Sequence, residues 1–144
     1  MTVGRVEVQS IPDARSTATI RAGLRDFNDR HVPRSDAVPF NVVLRDEDGA
    51  VVGGCVCEIR WHWLFVDLLW VSDVFRANGH GTALLAAAED EARRRGCTRA
   101  HLDTISFQAR PFYERLGWRL FGTLDDYPPG HTRYFLQKDL TEIR

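Results

Sequence analysis

The spacing of apolar and polar residues changes along the first part of the chain. Residues 3–9, VGRVEVQ, alternate apolar with polar side chains, which predicts a half-buried first strand. Asp13 is of a residue type that begins helices. Ile20, Leu24 and Phe27 then recur at helical spacing, so we predict a first helix after Asp13.

The next part of the chain predicts three consecutive strands. Residues 40–61, FNVVLRDEDGAVVGGCVCEIRW, form a hairpin pattern with the Asp-Gly dipeptide of residues 48–49 at the turn. The two glycines of residues 53–54 indicate a bulge in the second strand of this hairpin. Residues 63–73, WLFVDLLWVSD, are a long apolar run, which predicts a central strand covered on both faces.

The second half of the chain predicts two helices and three further strands. One helix begins near Gly79, and Gly96 follows it as the left-handed residue that ends many helices. A short helix spans residues 108–116, with Ser106 as its cap and Gly117 at its end. The strands are predicted at residues 98–105, 118–124 and 132–140. The resulting order, β-α-β-β-β-α-β-α-β-β, predicts a mixed α/β (α+β) fold with helices on both faces of one sheet, as a single domain over all 144 residues.

Charge and hydropathy narrow the classes of function. The formal net charge is −1, so no overall field favours nucleic acid or an anionic membrane. No apolar run approaches the roughly 20 residues of a membrane span, and the N-terminal segment MTVGRVEVQS lacks the apolar core of a signal peptide. We therefore expect a cytoplasmic protein with neither a nucleic-acid nor a membrane partner.

The cysteines indicate buried thiols rather than a disulfide or metal framework. The chain has 3 cysteines, an odd number. Cys55 and Cys57 are separated by one residue, whereas a zinc site needs a gap of two to four residues and a second pair of ligands. We expect no metal.

A glycine-rich turn precedes the central helix. In residues 74–85, VFRANGHGTALL, Gly79 and Gly81 leave the backbone bare where a helix presents N–H groups without intrahelical partners. These groups favour an anion, and Arg76 adds further donors. Asn78 tolerates a left-handed conformation and Thr82 carries a hydroxyl. The turn therefore predicts a phosphate or pyrophosphate site, unless the glycines serve only a tight strand-to-helix connection.

Two segments resemble motifs of one enzyme family. Residues 76–81, RANGHG, resemble the Arg/Gln-x-x-Gly-x-Gly/Ala pyrophosphate turn of the GNAT-type N-acetyltransferases. Residues 108–118, QARPFYERLGW, are similar to a later family motif, Ala-x-x-Phe/Leu-Tyr-x-x-x-Gly-Phe. The order of elements from Val3 to Leu140 also resembles the family. The resemblance implies a central mixed, mostly antiparallel sheet. Where the family often has Asn, this chain has Ser106.

The resemblance implies acetyl transfer from acetyl-CoA, a cosubstrate, to a primary amine of a small molecule or peptide by direct attack in a ternary complex. The backbone of one strand would pair with the pantetheine arm, and the glycine turn would hold the pyrophosphate. The implied coenzyme-binding residues are Leu69, Trp70, Val71, Arg76, Ala77, Asn78, Gly79, His80, Gly81, Thr82, Ser106 and Phe112. Within the turn, we expect the His80 ring to point outward.

Two residues are candidates for proton transfer. Tyr113 matches the family tyrosine that faces the coenzyme sulfur and would act as general acid, unless it is one more packed aromatic. Asp67 is the one charged residue in residues 61–72, and a partly buried carboxylate there would accept the amine proton directly or through water. A structural role for Asp67, or a base at Glu58 or His62, stays open.

Other readings of the chain are a non-catalytic acyl-CoA sensor on the same fold and, less favoured for want of a basic groove, an enzyme that acetylates charged tRNA. The aromatic residues Trp61, Trp63, Phe65 and Trp70 either pack in the core or line a pocket for an apolar or aromatic amine. Family members are often dimers, which makes a homodimer through the last two strands an expectation here.

Overall fold

The computed structural model describes residues 2–141. These residues fall into two compact units, which divide between Ser35 and Asp36. The single-domain organisation stays a prediction.

The first unit contains one helix, α1 (Ala14–Asp29), which begins where the sequence predicts. The Asp13 carboxylate caps it, accepting hydrogen bonds from the Ser16 backbone N–H at 3.1 Å and from the Ser16 hydroxyl at 2.8 Å. The predicted strand over residues 3–9 is wrong, because that segment has no regular secondary structure. A strand needs a hydrogen-bonded neighbour, and no strand within residues 2–141 pairs with this segment.

The second unit is built on a six-stranded sheet in the order β1-β2-β3-β4-β6-β5. The strands are β1 (Val38–Arg45), β2 (Val51–Arg60), β3 (Trp63–Val71), β4 (Arg99–Ile105), β5 (Arg119–Asp125) and β6 (Thr132–Asp139). Of the five pairings, β3–β4 is parallel and the other four are antiparallel. The predicted mixed, mostly antiparallel sheet is therefore confirmed.

The β1–β2 hairpin turns at Gly49, whose φ of +85° is one that glycine adopts without strain. The irregularity in the hairpin lies between Leu44 and Arg45, opposite Val52, so the bulge predicted at residues 53–54 is displaced. Gly54 instead serves a close approach of two strands, because a Cβ there would lie 2.6 Å from the Val42 carbonyl oxygen.

Helix α2 (His80–Arg94) covers one face of the sheet against β1, β2 and β3. Leu84, Leu85, Ala88 and Ala92 form an apolar stripe that is buried, and Gly96 follows the helix with φ +88°, left-handed as predicted. Main members of the resulting core are Cys55, Cys57, Leu64, Val66, Leu84, Leu85, Ala88 and Ala92. On the other face, Leu68 is 59% and Trp70 52% exposed, so the prediction that β3 is covered on both faces is wrong.

Helix α3 (Arg110–Arg115) is shorter than predicted. Ala109 occupies the N-cap position without a side-chain hydrogen bond, so Ser106 is not the cap. The helix ends before Gly117, whose φ of +92° is left-handed as a terminating glycine requires.

The parallel strands β3 and β4 are paired over only part of their length. Their register runs from Trp63 opposite Arg99 to Val66 opposite Leu102, although both strands continue beyond these residues. A register shift in the β2–β3 pairing lies at the same level, where Asp67 is the extra residue of β3. The two central strands consequently separate toward their C-terminal ends.

Candidate active site

A cleft of about 510 Å³ opens where β3 and β4 separate. Its walls come from the end of β3, the end of β4, the following loop and the start of α3. The lining residues are Val66, Asp67, Leu68, Leu69, Trp70, Val71, Arg76, Asp103, Thr104, Phe107, Gln108, Ala109 and Tyr113. The volume lies in the range of small-molecule sites.

The glycine turn stands between β3 and α2. A short 3₁₀ helix (Asp73–Phe75) follows β3, and Gly79 caps α2 with φ +80°. The first intrahelical bond in α2 is donated by the Ala83 N–H to the Gly79 carbonyl at 3.0 Å. The N–H groups of residues 80–82 therefore precede the helical hydrogen-bond ladder and are available to an anion.

The left-handed residues of the turn differ from those predicted. Ala77 has φ +63° and Gly79 has φ +80°, whereas Asn78 is not left-handed. The Asn78 side chain instead donates a hydrogen bond to the Arg76 carbonyl at 3.2 Å. This side-chain hydrogen bond stabilises the turn without requiring Asn78 to adopt a left-handed backbone conformation.

Arg76 connects the turn to the end of β3. Its Nε donates to the Val71 carbonyl oxygen at 2.8 Å, and its Nη1 lies 3.0 Å from Asp73 Oδ1. The guanidinium is thereby held at the edge of the cleft, with further N–H donors left for a ligand.

His80 and Gly81 are both involved in packing at the start of α2. The Nδ1 atom of His80 lies 2.9 Å from the Phe75 carbonyl oxygen, and the two rings are in edge contact at 5.8 Å. The prediction that His80 points outward is therefore wrong, because Phe75 supplies both a hydrogen-bond acceptor and a ring. A Cβ on Gly81 would lie 3.4 Å from Phe112, so this aromatic ring packs directly over the bare backbone.

Tyr113 lies at the base of the cleft and is 7% exposed. Its ring is in edge contact with Phe112 at 5.1 Å and with Trp118 at 6.2 Å. Burial, with smaller contributions from Cys55 and Asp103, raises the pKa of Tyr113 to about 12. The phenol is therefore fully protonated at neutral pH and can donate a hydrogen bond or a proton.

Two carboxylates line the cleft, one on each separating strand. Asp67 is exposed, so the expectation of a partly buried group is wrong, since the bulge in β3 turns it toward solvent. Asp103 on β4 is fixed by Arg133, with its Oδ1 2.8 Å from Nη2 and 2.9 Å from Nε. Asp67 makes no hydrogen bond or ion pair with any described residue.

The comparisons with known proteins agree with this geometry. The sequence model of the Acetyltransferase (GNAT) family matches residues 9–118. The chain belongs to the GNAT family of acetyltransferases. A blasticidin-S acetyltransferase from Streptomyces morookaense is 41% identical over 137 residues, covering 92% of this chain and 96% of the relative.

Solved structures share the fold of this acetyltransferase. An acetyltransferase from Bacillus cereus ATCC 14579 superposes with a TM-score of 0.85 at 28% identity, covering 92% of this chain and 97% of that one. A structure from Bacillus anthracis str. Ames in complex with acetyl coenzyme A has a TM-score of 0.62 at 18% identity, covering 77% of this chain and 66% of that one. The predicted family and enzyme class are thus confirmed.

The acetyltransferase brings most of the predicted site residues together. Leu69, Trp70, Val71 and Arg76 line the cleft with Asp67 and Tyr113. Residues 77–82 form the adjoining turn. Ser106 is placed differently, because its Oγ lies 3.0 Å from His131 Nδ1 and accepts a bond from the Thr132 N–H at 3.2 Å, and it does not line the cleft.

The two alternative bases lie outside the cleft lining. Glu58 lines a separate cavity on β2, β3 and β4. His62 occupies the β2–β3 turn with φ +62°, and its Nδ1 lies 3.2 Å from the Gly96 carbonyl oxygen. Neither is placed to receive a proton within the cleft.

Sequence reasoning missed the wall that β4 and its loop contribute. Asp103, Thr104, Phe107 and Gln108 line the cleft opposite β3. Gln108 shapes this wall, since its Oε1 accepts hydrogen bonds from the Ile105 N–H at 2.6 Å and from the Thr104 hydroxyl at 3.1 Å. The sequence does contain one sign of this wall. Asp103 is a carboxylate near the end of a strand whose residues alternate between apolar and polar.

Residues 2–141 contain neither a cluster of metal-ligating side chains nor a long apolar helix. No group of three or more His, Cys, Asp or Glu side chains is placed to hold a metal ion in that part of the chain. No helix there has the length and apolarity needed to cross a membrane.

Proposed function

We propose that this protein transfers an acetyl group from acetyl-CoA to a primary amine of a small molecule, by direct attack within a ternary complex. The observation that carries the proposal is that Tyr113 and Arg76 line the same cleft, with Arg76 leading directly into the turn that ends at the N-terminus of α2. Acetyl-CoA is an extended molecule, so its pyrophosphate could bind at this turn while its thioester lies near the Tyr113 hydroxyl.

The coenzyme would lie along the end of β3. The amides of residues 80–82 and the Arg76 guanidinium would hold the pyrophosphate, with open space beside Gly79 for it. The backbone of residues 69–71, beyond the last β3–β4 pair, would bond the pantetheine arm as an added strand. The Bacillus anthracis structure that contains acetyl coenzyme A has the same fold, which supports this placement.

The proposed reaction needs two proton transfers. The amine nitrogen attacks the thioester carbonyl carbon, and a main-chain N–H near Val71 would stabilise the developing oxyanion. The carbon–sulfur bond then breaks, and Tyr113 gives its proton to the departing thiolate. Asp67, directly or through a water molecule, takes the proton released by the amine, because it is the cleft carboxylate without an arginine partner.

The acceptor we favour is a small, soluble amine. The relative that is 41% identical is named for blasticidin S, which makes that compound the first candidate. A protein or peptide amine is the broader expectation that the family resemblance leaves open.

The proposed function is tested by release of free thiol from acetyl-CoA in the presence of blasticidin S and a panel of simple primary amines. We expect thiol release that depends on an amine, with an acetylated product of the expected mass. Tight coenzyme binding with no thiol release from any amine would instead identify a non-catalytic acyl-CoA sensor.

We also propose that the enzyme is a cytoplasmic homodimer. The edge strand β5 exposes Phe121 by 56% and Leu124 by 45%, an apolar edge that a second copy could cover. Cys55, Cys57 and Cys97 are buried free thiols, as suits a reducing compartment. Light scattering on a sizing column measures the mass, and a monomer over the whole concentration range would contradict the dimer.

A further inference from the structure

A second cavity, of about 310 Å³, lies on strands β2, β3 and β4. We call it the aromatic cavity. It is lined by Glu58, Arg60, Trp61, Trp63, Phe65 and His101. Nothing in the proposed coenzyme site uses these residues.

The walls of the aromatic cavity are ordered by contacts between rings. His101 stacks on Phe65 at 4.8 Å with an interplanar angle of 22°, and Trp63 meets the same imidazole edge-on at 5.6 Å. At one side, the Arg60 guanidinium lies over the Trp61 ring at 5.4 Å. Flat, fixed aromatic walls favour a flat ligand that stacks against them.

Glu58 is the carboxylate of this cavity. It is half-buried and makes no hydrogen bond or ion pair with any residue that the structure describes. A partly buried carboxylate without hydrogen bonds is costly, and its oxygens can only accept, so this cavity favours a ligand that carries hydrogen-bond donors. Burial lowers the pKa of the neighbouring His101, which disfavours a charged imidazole as the partner of Glu58.

The aromatic cavity adjoins the cleft along β4. His101 lines the aromatic cavity and Asp103 lines the cleft. Residues two apart on a strand face the same side and lie roughly 7 Å apart. One molecule of modest length can therefore occupy both spaces.

From this arrangement we infer that the aromatic cavity holds the non-reacting end of the acceptor, a planar group that carries N–H donors, stacked on Phe65 and Trp63 and bonded to Glu58. The inference rests on the proposed function and adds the class of acceptor. Two kinds of group share this chemistry, namely a guanidinium and an amino-substituted heterocycle.

The first test compares three amines by thiol release. Agmatine carries a guanidinium, 5-(aminomethyl)cytosine carries an aminoheterocycle, and pentylamine carries neither. We expect the KM for at least one planar amine to be at least about tenfold below that of pentylamine. The better planar substrate identifies which of the two groups is held, and equal KM values for all three amines would overturn the inference.

The Glu58→Gln variant tests the carboxylate. We expect it to raise the KM for the preferred planar amine about tenfold while kcat changes less than about twofold, since the lost interaction is remote from the reacting atoms. Glu47→Gln, an exposed residue in the β1–β2 turn, is the matched control and should leave both values unchanged. An unchanged KM in a normally folded Glu58→Gln would also overturn the inference.

A binding measurement separates this inference from the proposed function. Calorimetry with butylguanidine and with cytosine, neither of which has a reactive alkyl amine, should detect binding to the wild-type protein and weaker binding to Glu58→Gln. Binding without thiol release from any amine would retain the aromatic cavity and remove the catalytic proposal. Thiol release without binding of either planar compound would retain the catalytic proposal and overturn the inference about the aromatic cavity.

Discussion

The Arg76 Nε atom donates a hydrogen bond to the Val71 carbonyl oxygen at 2.8 Å. This bond joins the last residue of β3 to the glycine turn, with Asp73 holding the same guanidinium from the other side. The strand expected to bond the pantetheine arm and the turn expected to hold the pyrophosphate are thus fixed relative to each other by one side chain.

Replacing Arg76 should weaken coenzyme binding through both charge and position. We expect Arg76→Ala to raise the Kd for coenzyme A at least about tenfold in calorimetry. Arg76→Lys should recover only part of this loss, because an ammonium cannot reproduce the fork that contacts Val71 and Asp73 together. Arg25→Ala, on exposed helix α1, is the control, and a Kd equal to wild type for Arg76→Ala would disprove this role.

Tyr113→Phe should lower turnover with little effect on binding. The substitution removes only the hydroxyl, and the ring keeps its contacts with Phe112 and Trp118. General acid catalysis typically contributes 10² to 10⁴, so we expect kcat to fall at least about a hundredfold. The Kd for coenzyme A, measured separately by calorimetry, should stay within about twofold of wild type. Undiminished kcat would eliminate Tyr113 as the acid.

The same residue should make stability depend on pH in the alkaline range. Burial raises the pKa of Tyr113 to about 12, above the value near 10 of an unfolded tyrosine. The folded chain therefore keeps a proton that the unfolded chain loses, so this contribution is complete below about pH 10 and disappears as the pH rises toward about 12.

Urea unfolding at several pH values measures this contribution. The free energy of unfolding of the wild type should fall more than that of Tyr113→Phe over the window, by about 2–3 kcal/mol in total. Parallel pH profiles for the two proteins would show that Tyr113 titrates normally.

Helix α2 and its end at Gly96 could be predicted from the sequence. The apolar spacing of the helix and the glycine that ends it both lie within one short segment. The strand expected over residues 3–9 fails for the opposite reason, since alternation cannot show whether a partner strand is present. The β3 side of the cleft could be predicted, because its residues and the glycine turn are neighbours in one continuous stretch of sequence. The β4 side, with Asp103, depends on a parallel pairing between distant segments and could not be read from either segment alone.

A buried ion pair anchors α2 to β6. Lys138 Nζ lies 2.6 Å from Glu89 Oε1 and donates to the Leu116 carbonyl at 2.8 Å, and the Glu89 and Lys138 side chains are 5% and 6% exposed. We expect Lys138→Met to destabilise the protein by about 3 kcal/mol, because it removes the cation that lies 2.6 Å from a buried carboxylate. Urea denaturation measures the change.

The double variant Glu89→Met with Lys138→Met provides the control for that prediction. Removing both charges together should cost less than the sum of the two single changes, since neither partner is left buried and uncompensated. Additive losses would show that the two side chains do not stabilise each other.

The central claim is that the turn from Arg76 to Thr82 holds the pyrophosphate of acetyl-CoA and thereby sets the thioester beside Tyr113. A crystal structure of the acetyl-CoA complex tests it most directly. We expect phosphate oxygens about 3 Å from the backbone nitrogens of residues 80–82, with the sulfur next to the Tyr113 hydroxyl. A coenzyme bound elsewhere on the protein, or with its sulfur away from Tyr113, would contradict the claim.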